Sequence, residues 1–160
     1  MGIEEDKRAV AVAAAQQVAD GMVVGLGTGS TVAYLIPALS SRAVAATYVA
    51  TSPATEAAAG EAGLRVLAFE GVVSLDLAID GADQVAPSRW LVKGGGGAHT
   101  REKIVATAAD RFVVIVSANK LVDRLAPPRA AGAARVRDRL HAATAGGTRT
   151  RPAATRAAQP

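Results

Sequence analysis

The segment Met22-Val-Val-Gly-Leu-Gly-Thr-Gly-Ser-Thr31 leads from a short apolar run through a glycine-rich turn to a helix-forming sequence. Residues 22–26 are typical of a buried strand, and Ser30 or Thr31 is suited to cap a helix that reaches about residue 40. A strand that passes through a tight turn directly into a helix is the building unit of α/β folds. The segment therefore predicts an α/β fold.

The same alternation of strands and helices continues along the chain. Further helices are expected at residues 4–20, from Ser52-Pro-Ala-Thr-Glu56 to about Gly63, and at 98–109; further strands are expected at 47–50, 64–69, 75–79, 90–92 and 112–116. This order predicts a three-layer, Rossmann-like fold in which helices cover both faces of a mainly parallel sheet. Ligands of such sheets bind at the carboxyl ends of the strands.

Composition limits the fold and the compartment. The 160 residues are enough for one domain with a sizeable core, and because half of them are apolar but only 3% are aromatic, that core must consist mostly of Ala, Val, Leu and Ile. The chain has no cysteine, which excludes disulfides, thiolate nucleophiles and cysteine-ligated zinc. The charged start and the lack of a long apolar run predict a cytoplasmic protein without a membrane span.

The basic charge is concentrated at the end of the chain. Residues 127–160 contain seven arginines and one aspartate, a net charge of +6, so residues 1–126 carry −2 of the total of +4. This Ala-, Arg- and Pro-rich tail has few large aliphatic residues, so it is expected to be disordered or to form at most one short helix near 129–142. We expect an α/β domain over 1–126 and a tail over 127–160. Nucleic-acid binding is not expected, because aromatic residues for base stacking are missing.

Lys93-Gly-Gly-Gly-Gly-Ala98-His-Thr-Arg-Glu102 joins an ammonium group, a run of unhindered backbone amides and a carboxylate. Glycine amides can approach a ligand closely, and the helix expected from Ala98 adds its positive end. The pattern indicates an anion site beside a base. In the alternative interpretation, Glu102 is a surface residue next to Lys103. Four successive glycines favour the first interpretation. They lose much chain entropy on ordering, so such a run seldom persists unless the backbone must approach another group closely.

Two other turns follow predicted strands. Asp80-Gly-Ala-Asp83 places two carboxylates at the end of an apolar run, where charge is costly unless it is used or paired, although Asp-Gly is also common in ordinary turns. Gly25-Leu-Gly-Thr-Gly-Ser-Thr31 can hold a phosphate with its amides and hydroxyls, or can be a plain tight turn. Ser30 replaces the third glycine of a dinucleotide fingerprint, and no lysine is placed as in a P-loop. No metal-ligand spacing is present, so no metal is expected.

Taken together, these segments resemble the type A ribose-5-phosphate isomerase family, in the family's order and approximate spacing. The matching segments lie between residue 4 and about residue 126; they are Lys7 in the first helix, Gly25-Leu-Gly-Thr-Gly-Ser-Thr31, Thr51-Ser-Pro-Ala-Thr-Glu56, Asp76-Leu-Ala-Ile-Asp-Gly-Ala-Asp83, Lys93-Gly-Gly-Gly-Gly-Ala98, Arg101-Glu-Lys-Ile104 and Asn119-Lys120. The resemblance implies an enzyme of the pentose phosphate pathway that interconverts ribose 5-phosphate and ribulose 5-phosphate without a cofactor or a metal.

The resemblance also implies roles for individual residues. Glu102 is then the general base, Asp80 assists ring opening and proton transfer at the sugar oxygens, and Asp83 and Lys93 position and polarise the substrate. The amides of the glycine run are expected to face the developing enediolate. The remaining substrate-binding positions that the resemblance implies are Gly81, Ala82, Gly94, Gly95 and Gly96, with the phosphate held by Thr28, Gly29, Ser30, Thr31, Lys120 and, nearby, Lys7.

The sequence departs from the family pattern in three places. Gln84 stands where the family has Glu, and Ser117 stands where it has Asp. The family continues into a small α+β domain that covers the site and helps to build the oligomer, and no sequence after residue 127 resembles it. We expect that most of this domain is missing through a frame shift or a truncation, that its loss impairs turnover, and that it disfavours a family-like homo-oligomer. The alternative function is a non-catalytic sugar-phosphate-binding protein.

Overall fold

A computed structural model describes residues 2–70, 74–95, 97–126, 133–135 and 140–143 of the chain. The helices are α1 (Ile3–Ala15), α2 (Val32–Ser40), α3 (Pro53–Glu61) and α4 (His99–Ala108), followed by a short 3-10 helix (Ala118–Lys120). The strands are β1 (Val23–Leu26), β2 (Thr47–Ala50), β3 (Arg65–Leu67), β4 (Leu75–Asp80), β5 (Gln84–Val85), β6 (Trp90–Val92), β7 (Ala109–Ile115), β8 (Ala133–Arg135) and β9 (Leu140–Ala143). Among the helices of these ranges, none combines the length and the apolar character needed to cross a bilayer.

The main sheet has six strands in the order β3-β2-β1-β4-β7-β9, and every neighbouring pair is parallel. The chain runs outward from β1 through β2 to β3, and then returns to the other side of β1 with β4. The order therefore reverses between β1 and β4, and the loops that follow these two strands diverge at that point. Such a switch point is the usual ligand site of an open α/β sheet.

Helices and a second sheet cover the two faces of the main sheet. Along β7, Val113 and Ile115 join the hydrophobic cluster that includes α1 and α2, whereas Phe112 and Val114 join the cluster formed with α4 and the small sheet. This alternation follows from the opposite directions of successive side chains in a strand. The predicted α/β class, with a mainly parallel sheet between two covering layers, is confirmed.

The small sheet differs from the sequence prediction. The strand predicted at 90–92 is β6, but it pairs antiparallel with β5 and with β8 rather than joining the main sheet. The turn between β5 and β6 is closed by the N–H of Arg89, which donates to Ala86, and Arg89 adopts a positive φ of 65°. Because β5 has only two residues, it leaves no periodic signal in the sequence.

Two short strands lie in the tail, where we expected disorder or at most one helix. β8 extends the small sheet along β6, and β9 extends the main sheet along β7. An edge strand offers unpaired backbone N–H and C=O groups to any neighbouring segment. Backbone pairing can therefore produce strands that the side-chain composition does not predict. The other residues of 127–160 lie outside the described part of the chain.

Candidate active site

The loops that follow β1 and β4 meet at the switch point of the main sheet. The N–H of Thr28 donates to Oδ1 of Asp80 over 3.2 Å, and the N–H of Gly27 donates to the carbonyl of Ile79 over 2.9 Å. The backbone of Gly27 packs against the Asp80 carboxylate and leaves no room for a side chain. The parallel register of β1 and β4 therefore joins the glycine-rich turn to the acidic turn.

Lys93 links two acidic side chains at this edge. Its Nζ atom lies 2.8 Å from Oδ2 of Asp80 and 3.7 Å from Oε2 of Glu102, and it donates a hydrogen bond of 2.6 Å to the carbonyl of Gly81. The three charged residues are only 3%, 8% and 5% exposed, in the order Asp80, Lys93 and Glu102. Three of the four predicted catalytic residues thus form one buried cluster.

The Asp80 carboxylate is held by several donors. Besides Lys93 and the amide of Thr28, the N–H of Gly81 donates to its Oδ1 atom over 2.7 Å. Burial raises the pKa of Asp80 above the ordinary value of an Asp carboxyl, and the Lys93 ammonium and the two amides offset this rise only in part. A buried carboxyl with a raised pKa beside a cation is suited to hold or pass on a proton.

Helix α4 places Glu102 inside the fold. The helix packs on β1 so closely that a Cβ atom at Gly25 would lie 2.3 Å from Cγ1 of Val105. Val105 is buried, whereas the neighbouring Ile104 is 49% exposed. Glu102 lies nearly one turn before Val105 and faces the same side of the helix. The alternative interpretation of Glu102 as a surface residue is therefore wrong.

The glycine run between β6 and α4 forms a tight turn. Gly94 and Gly97 have φ values of +102° and +81°, which L side chains rarely adopt, and the N–H of Gly97 donates to the carbonyl of Gly94. The N–H of Gly95 donates to Oδ2 of Asp83 over 3.0 Å. The Gly95 amide, expected to face the enediolate, thus has the Asp83 carboxylate as its partner in this structure. Asp83 accordingly anchors the glycine run, and Gly96 lies outside the described residues.

The turn after β1 opens toward solvent. Gly29 and Ser30 are exposed, and Gly29 has a φ of +118°. Thr31 is the N-cap residue of α2, but its side chain makes no capping hydrogen bond, contrary to the usual role of a threonine there. The N–H groups of Ala33 and Tyr34 donate to the carbonyls of Gly29 and Thr31, so an anion at the start of α2 would be favoured by the helix dipole and by the amides of the turn itself.

A cluster of hydroxyl groups supports this turn from below. The hydroxyl of Thr28 lies 2.8 Å from that of Thr51 and 3.4 Å from that of Thr55. Thr55 donates to the carbonyl of Gly27, and Ser52 caps α3 by accepting from the N–H of Thr55. Residues 51–56 were expected to start a helix and match the family pattern, but no site role was predicted for them. Their position after β2, the strand beside β1, was the signal that could have placed them at the site.

The remaining predicted positions lie around this centre. Gly81 and Ala82 are half-buried in the turn after β4, and Lys120 is half-buried in the loop after β7. That loop is tied to α1 by the N–H of Ala118, which donates to Oδ2 of the buried Asp6 over 3.3 Å. Lys7, predicted to lie near the phosphate, forms an ion pair of 2.8 Å with Glu4 on its own helix. The structure thus gives Lys7 a different partner.

Sequence comparison identifies relatives of the chain. The family model for ribose 5-phosphate isomerase A (phosphoriboisomerase A) matches residues 47–146, which extends past the tail boundary expected at 127. The ribose-5-phosphate isomerase A of Prochlorococcus marinus (strain MIT 9303) is 50% identical over 124 residues, which are 74% of this chain and 52% of that protein. The chain therefore spans about half the length of the curated relatives it matches.

Solved structures give the same result. A ribose 5-phosphate isomerase A from Methanocaldococcus jannaschii superposes with a TM-score of 0.73 at 40% identity, over 78% of this chain and 57% of that one. A D-ribose-5-phosphate isomerase in complex with phospho-erythronic acid gives a TM-score of 0.74, with the same identity and coverage. The match to the family model covers more than half of the chain, so the chain belongs to the ribose 5-phosphate isomerase A family.

Proposed function

We propose that the chain interconverts ribose 5-phosphate and ribulose 5-phosphate through an enediolate. The observation that carries this proposal is the buried ammonium of Lys93 between the carboxylates of Asp80 and Glu102, at 2.8 and 3.7 Å. Aldose–ketose isomerisation needs a base for a carbon-bound proton and positive charge where the oxygen becomes negative. Both groups are present within one cluster.

In the proposed reaction Glu102 is the general base. It removes the proton from carbon 2 of the open-chain aldose, and the electron pair of that C–H bond forms the carbon–carbon double bond of the enediolate. The same carboxyl group returns the proton to carbon 1, while a proton moves from the carbon 2 oxygen to the carbon 1 oxygen. The step is redox-neutral as a whole, since the aldehyde carbon is reduced and its neighbour oxidised within one molecule.

Lys93 and Asp80 act at the oxygen atoms in this proposal. The Lys93 ammonium stabilises the negative charge that develops during enolisation, because a fixed cation is most effective in a buried, low-dielectric site. Asp80, whose pKa is raised by burial, carries protons to and from the sugar oxygens and assists ring opening. Asp83 contributes indirectly, because it holds the N–H of Gly95 and thus the glycine run.

In this proposal the substrate phosphate binds at the turn after β1. Thr28, Gly29, Ser30 and Thr31 lead into the start of α2, where the amides of the turn and the helix dipole favour an anion. Lys120 is the proposed cationic partner from the loop after β7. A relative of similar fold was solved in complex with phospho-erythronic acid, a phosphorylated sugar acid. That complex supports a ligand that carries a phosphate group. Binding energy from the phosphate then holds the reacting carbons beside Glu102.

An isomerisation assay with ribose 5-phosphate tests the proposal. The wild-type chain is expected to produce ribulose 5-phosphate, and Glu102→Gln is expected to lower kcat at least 100-fold, the usual size of general-base catalysis. Glu61→Gln is the matched control, because Glu61 is an exposed residue near the end of α3. Equal rates for the wild type and Glu102→Gln contradict the role of Glu102.

The same experiment separates the enzyme from a non-catalytic sugar-phosphate binder. Calorimetric binding of ribose 5-phosphate is measured for each variant alongside the rate. Binding without any turnover by the wild type, unchanged in Glu102→Gln, establishes the binder and overturns the proposed reaction. Turnover by the wild type that Glu102→Gln abolishes without loss of binding establishes the isomerase.

A further inference from the structure

The hydroxyl groups beneath the glycine-rich turn have a definite donor order. Thr55 uses its single proton on the carbonyl of Gly27, 3.0 Å away, and its oxygen accepts from the hydroxyl of Ser52, also at 3.0 Å. Each hydroxyl can donate one proton and accept two. Thr55 therefore cannot donate to Thr28, and any hydrogen bond between these two must use the proton of Thr28.

Thr51 is the next member of the cluster. Its side chain is buried, with 1% exposed, and its backbone is fixed by a hydrogen bond of 2.9 Å from its N–H to the carbonyl of Leu26. Within the described ranges its hydroxyl bonds to Oγ1 of Thr28, over 2.8 Å. A buried O–H that donates to no acceptor is costly, so the proton of Thr51 goes to Thr28.

The proton of Thr28 is then left with a poor acceptor inside the protein. Oγ1 of Thr55 is 3.4 Å away, beyond the usual range of O–H···O hydrogen bonds. Thr28 is also less buried than Thr51 or Thr55, and it begins the turn that leads to the start of α2. An anionic oxygen bound at that turn is a better acceptor than Thr55, because hydrogen bonds to charged groups are roughly twice as strong.

We propose that Thr51 is a positioning residue of the sugar-phosphate site: its buried hydroxyl donates to Thr28 and so turns the Thr28 proton toward a phosphate oxygen of the ligand. Thr51 acts through Thr28 and does not touch the ligand. The inference rests on the proposed binding of a sugar phosphate at this turn. It adds a determinant of affinity at the residue that directly follows β2, a strand that carries none of the proposed catalytic groups.

Titration calorimetry with inorganic phosphate and with ribose 5-phosphate tests the inference. Thr51→Val keeps the shape of the side chain but removes the donor, and it is expected to raise both dissociation constants about fivefold, the effect of one ordinary hydrogen bond. Thr51→Ser restores the hydroxyl and is expected to recover most of the affinity. Thr47→Val is the matched control, because Thr47 lies at the opposite end of β2, and its affinities are expected to be unchanged.

A double-mutant comparison distinguishes positioning from a general structural effect. Because Thr51 is inferred to act through Thr28, adding Thr51→Val to Thr28→Val is expected to cost no further affinity. A further loss of the same size in the Thr28→Val background overturns the inference, as does an unchanged dissociation constant in Thr51→Val alone. If Thr51→Val does not fold, Thr51→Ala removes the same donor and carries the same expectation.

The kinetics provide a second readout. When the wild type turns over, Thr51→Val is expected to lower kcat/KM about fivefold, mostly through a higher KM, since the lost hydrogen bond holds the phosphate alike in the ground state and in the transition state. A fall in kcat with KM unchanged overturns the inference. When the wild type binds phosphate without turnover, the proposed reaction fails and the inference is decided by the dissociation constants. A wild type that binds neither inorganic phosphate nor ribose 5-phosphate overturns both the proposed function and the inference about Thr51.

Discussion

A Cβ atom on Gly27 would lie 1.9 Å from Oδ1 of Asp80 and 2.5 Å from its Cβ atom. These are distances that non-bonded atoms do not reach, so the two residues can occupy these places only while position 27 is glycine. The Asp80 carboxylate cannot easily move aside, because Lys93 and the amides of Thr28 and Gly81 hold it. The glycine is therefore required by its contact with the acid, in addition to any contact with a ligand.

Gly27→Ala is expected to displace Asp80 from Lys93 and to abolish measurable isomerisation. Overpacking of this kind costs about 1–3 kcal/mol in the free energy of unfolding. Gly60→Ala is the matched control: a Cβ atom there meets nothing within 4 Å, and α3 gains about 0.5–1 kcal/mol from the better helix former. Urea unfolding and the isomerase rate check both, and a Gly27→Ala enzyme as active and stable as the wild type contradicts the close contact.

Lys93→Met is expected to destabilise the fold as well as to stop catalysis. Removal of the ammonium leaves the carboxylates of Asp80 and Glu102 buried near each other, and breaking a buried ion pair in this way costs about 3–5 kcal/mol. Lys103→Met, on the exposed side of α4, is the control. Thermal unfolding at pH 7 gives the comparison; equal midpoints for the two variants argue against a cluster held by Lys93.

The raised pKa of Asp80 predicts how stability changes with pH. The folded state binds the Asp80 proton more tightly than the unfolded state, so the contribution of Asp80 to stability is full below the unfolded pKa of about 4 and is lost as pH rises through the higher folded pKa. The unfolding free energy of the wild type minus that of Asp80→Asn is therefore expected to fall as pH rises from about 4. Urea unfolding over a pH series measures it, with Asp110→Asn at an exposed site for comparison. A difference that grows with pH contradicts the sign.

Lys120→Met tests the proposed phosphate partner. Loss of a charged hydrogen-bond donor is expected to raise the dissociation constant for ribose 5-phosphate about tenfold or more at low salt. Lys7→Met is the informative comparison, because Lys7 is paired with Glu4, and only a small change is expected for it. Calorimetry at two salt concentrations gives the values. A larger effect at position 7 than at position 120 reverses the assignment.

Much of the site was predictable because strand ends are local features of the sequence. Asp80 ends an apolar run, and the turn at 25–31 sits between a strand and a helix, so a parallel sheet brings them to one edge. Glu102 follows the glycine run, and its burial agrees with that prediction. These residues needed only the fold class to be placed.

Other features depend on contacts that the sequence does not record. The bond from the N–H of Gly95 to Asp83 links two turns that are 12 positions apart, and it exists only because β5 and β6 form a hairpin. The hydroxyl contact between Thr28 and Thr51 depends on the pairing of β1 with β2. Strand order and register, which set these neighbours, are tertiary properties.

The cluster of Asp80, Lys93 and Glu102 has an electrical consequence. With both carboxylates ionised, two negative groups share one positive group, so the buried cluster is left with an excess negative charge in a medium that solvates charge poorly. Capture of one proton cancels that excess. A hydrogen ion taken up here thus makes the cluster electrically neutral, and burying the protonated cluster costs the protein less than burying the cluster without that proton.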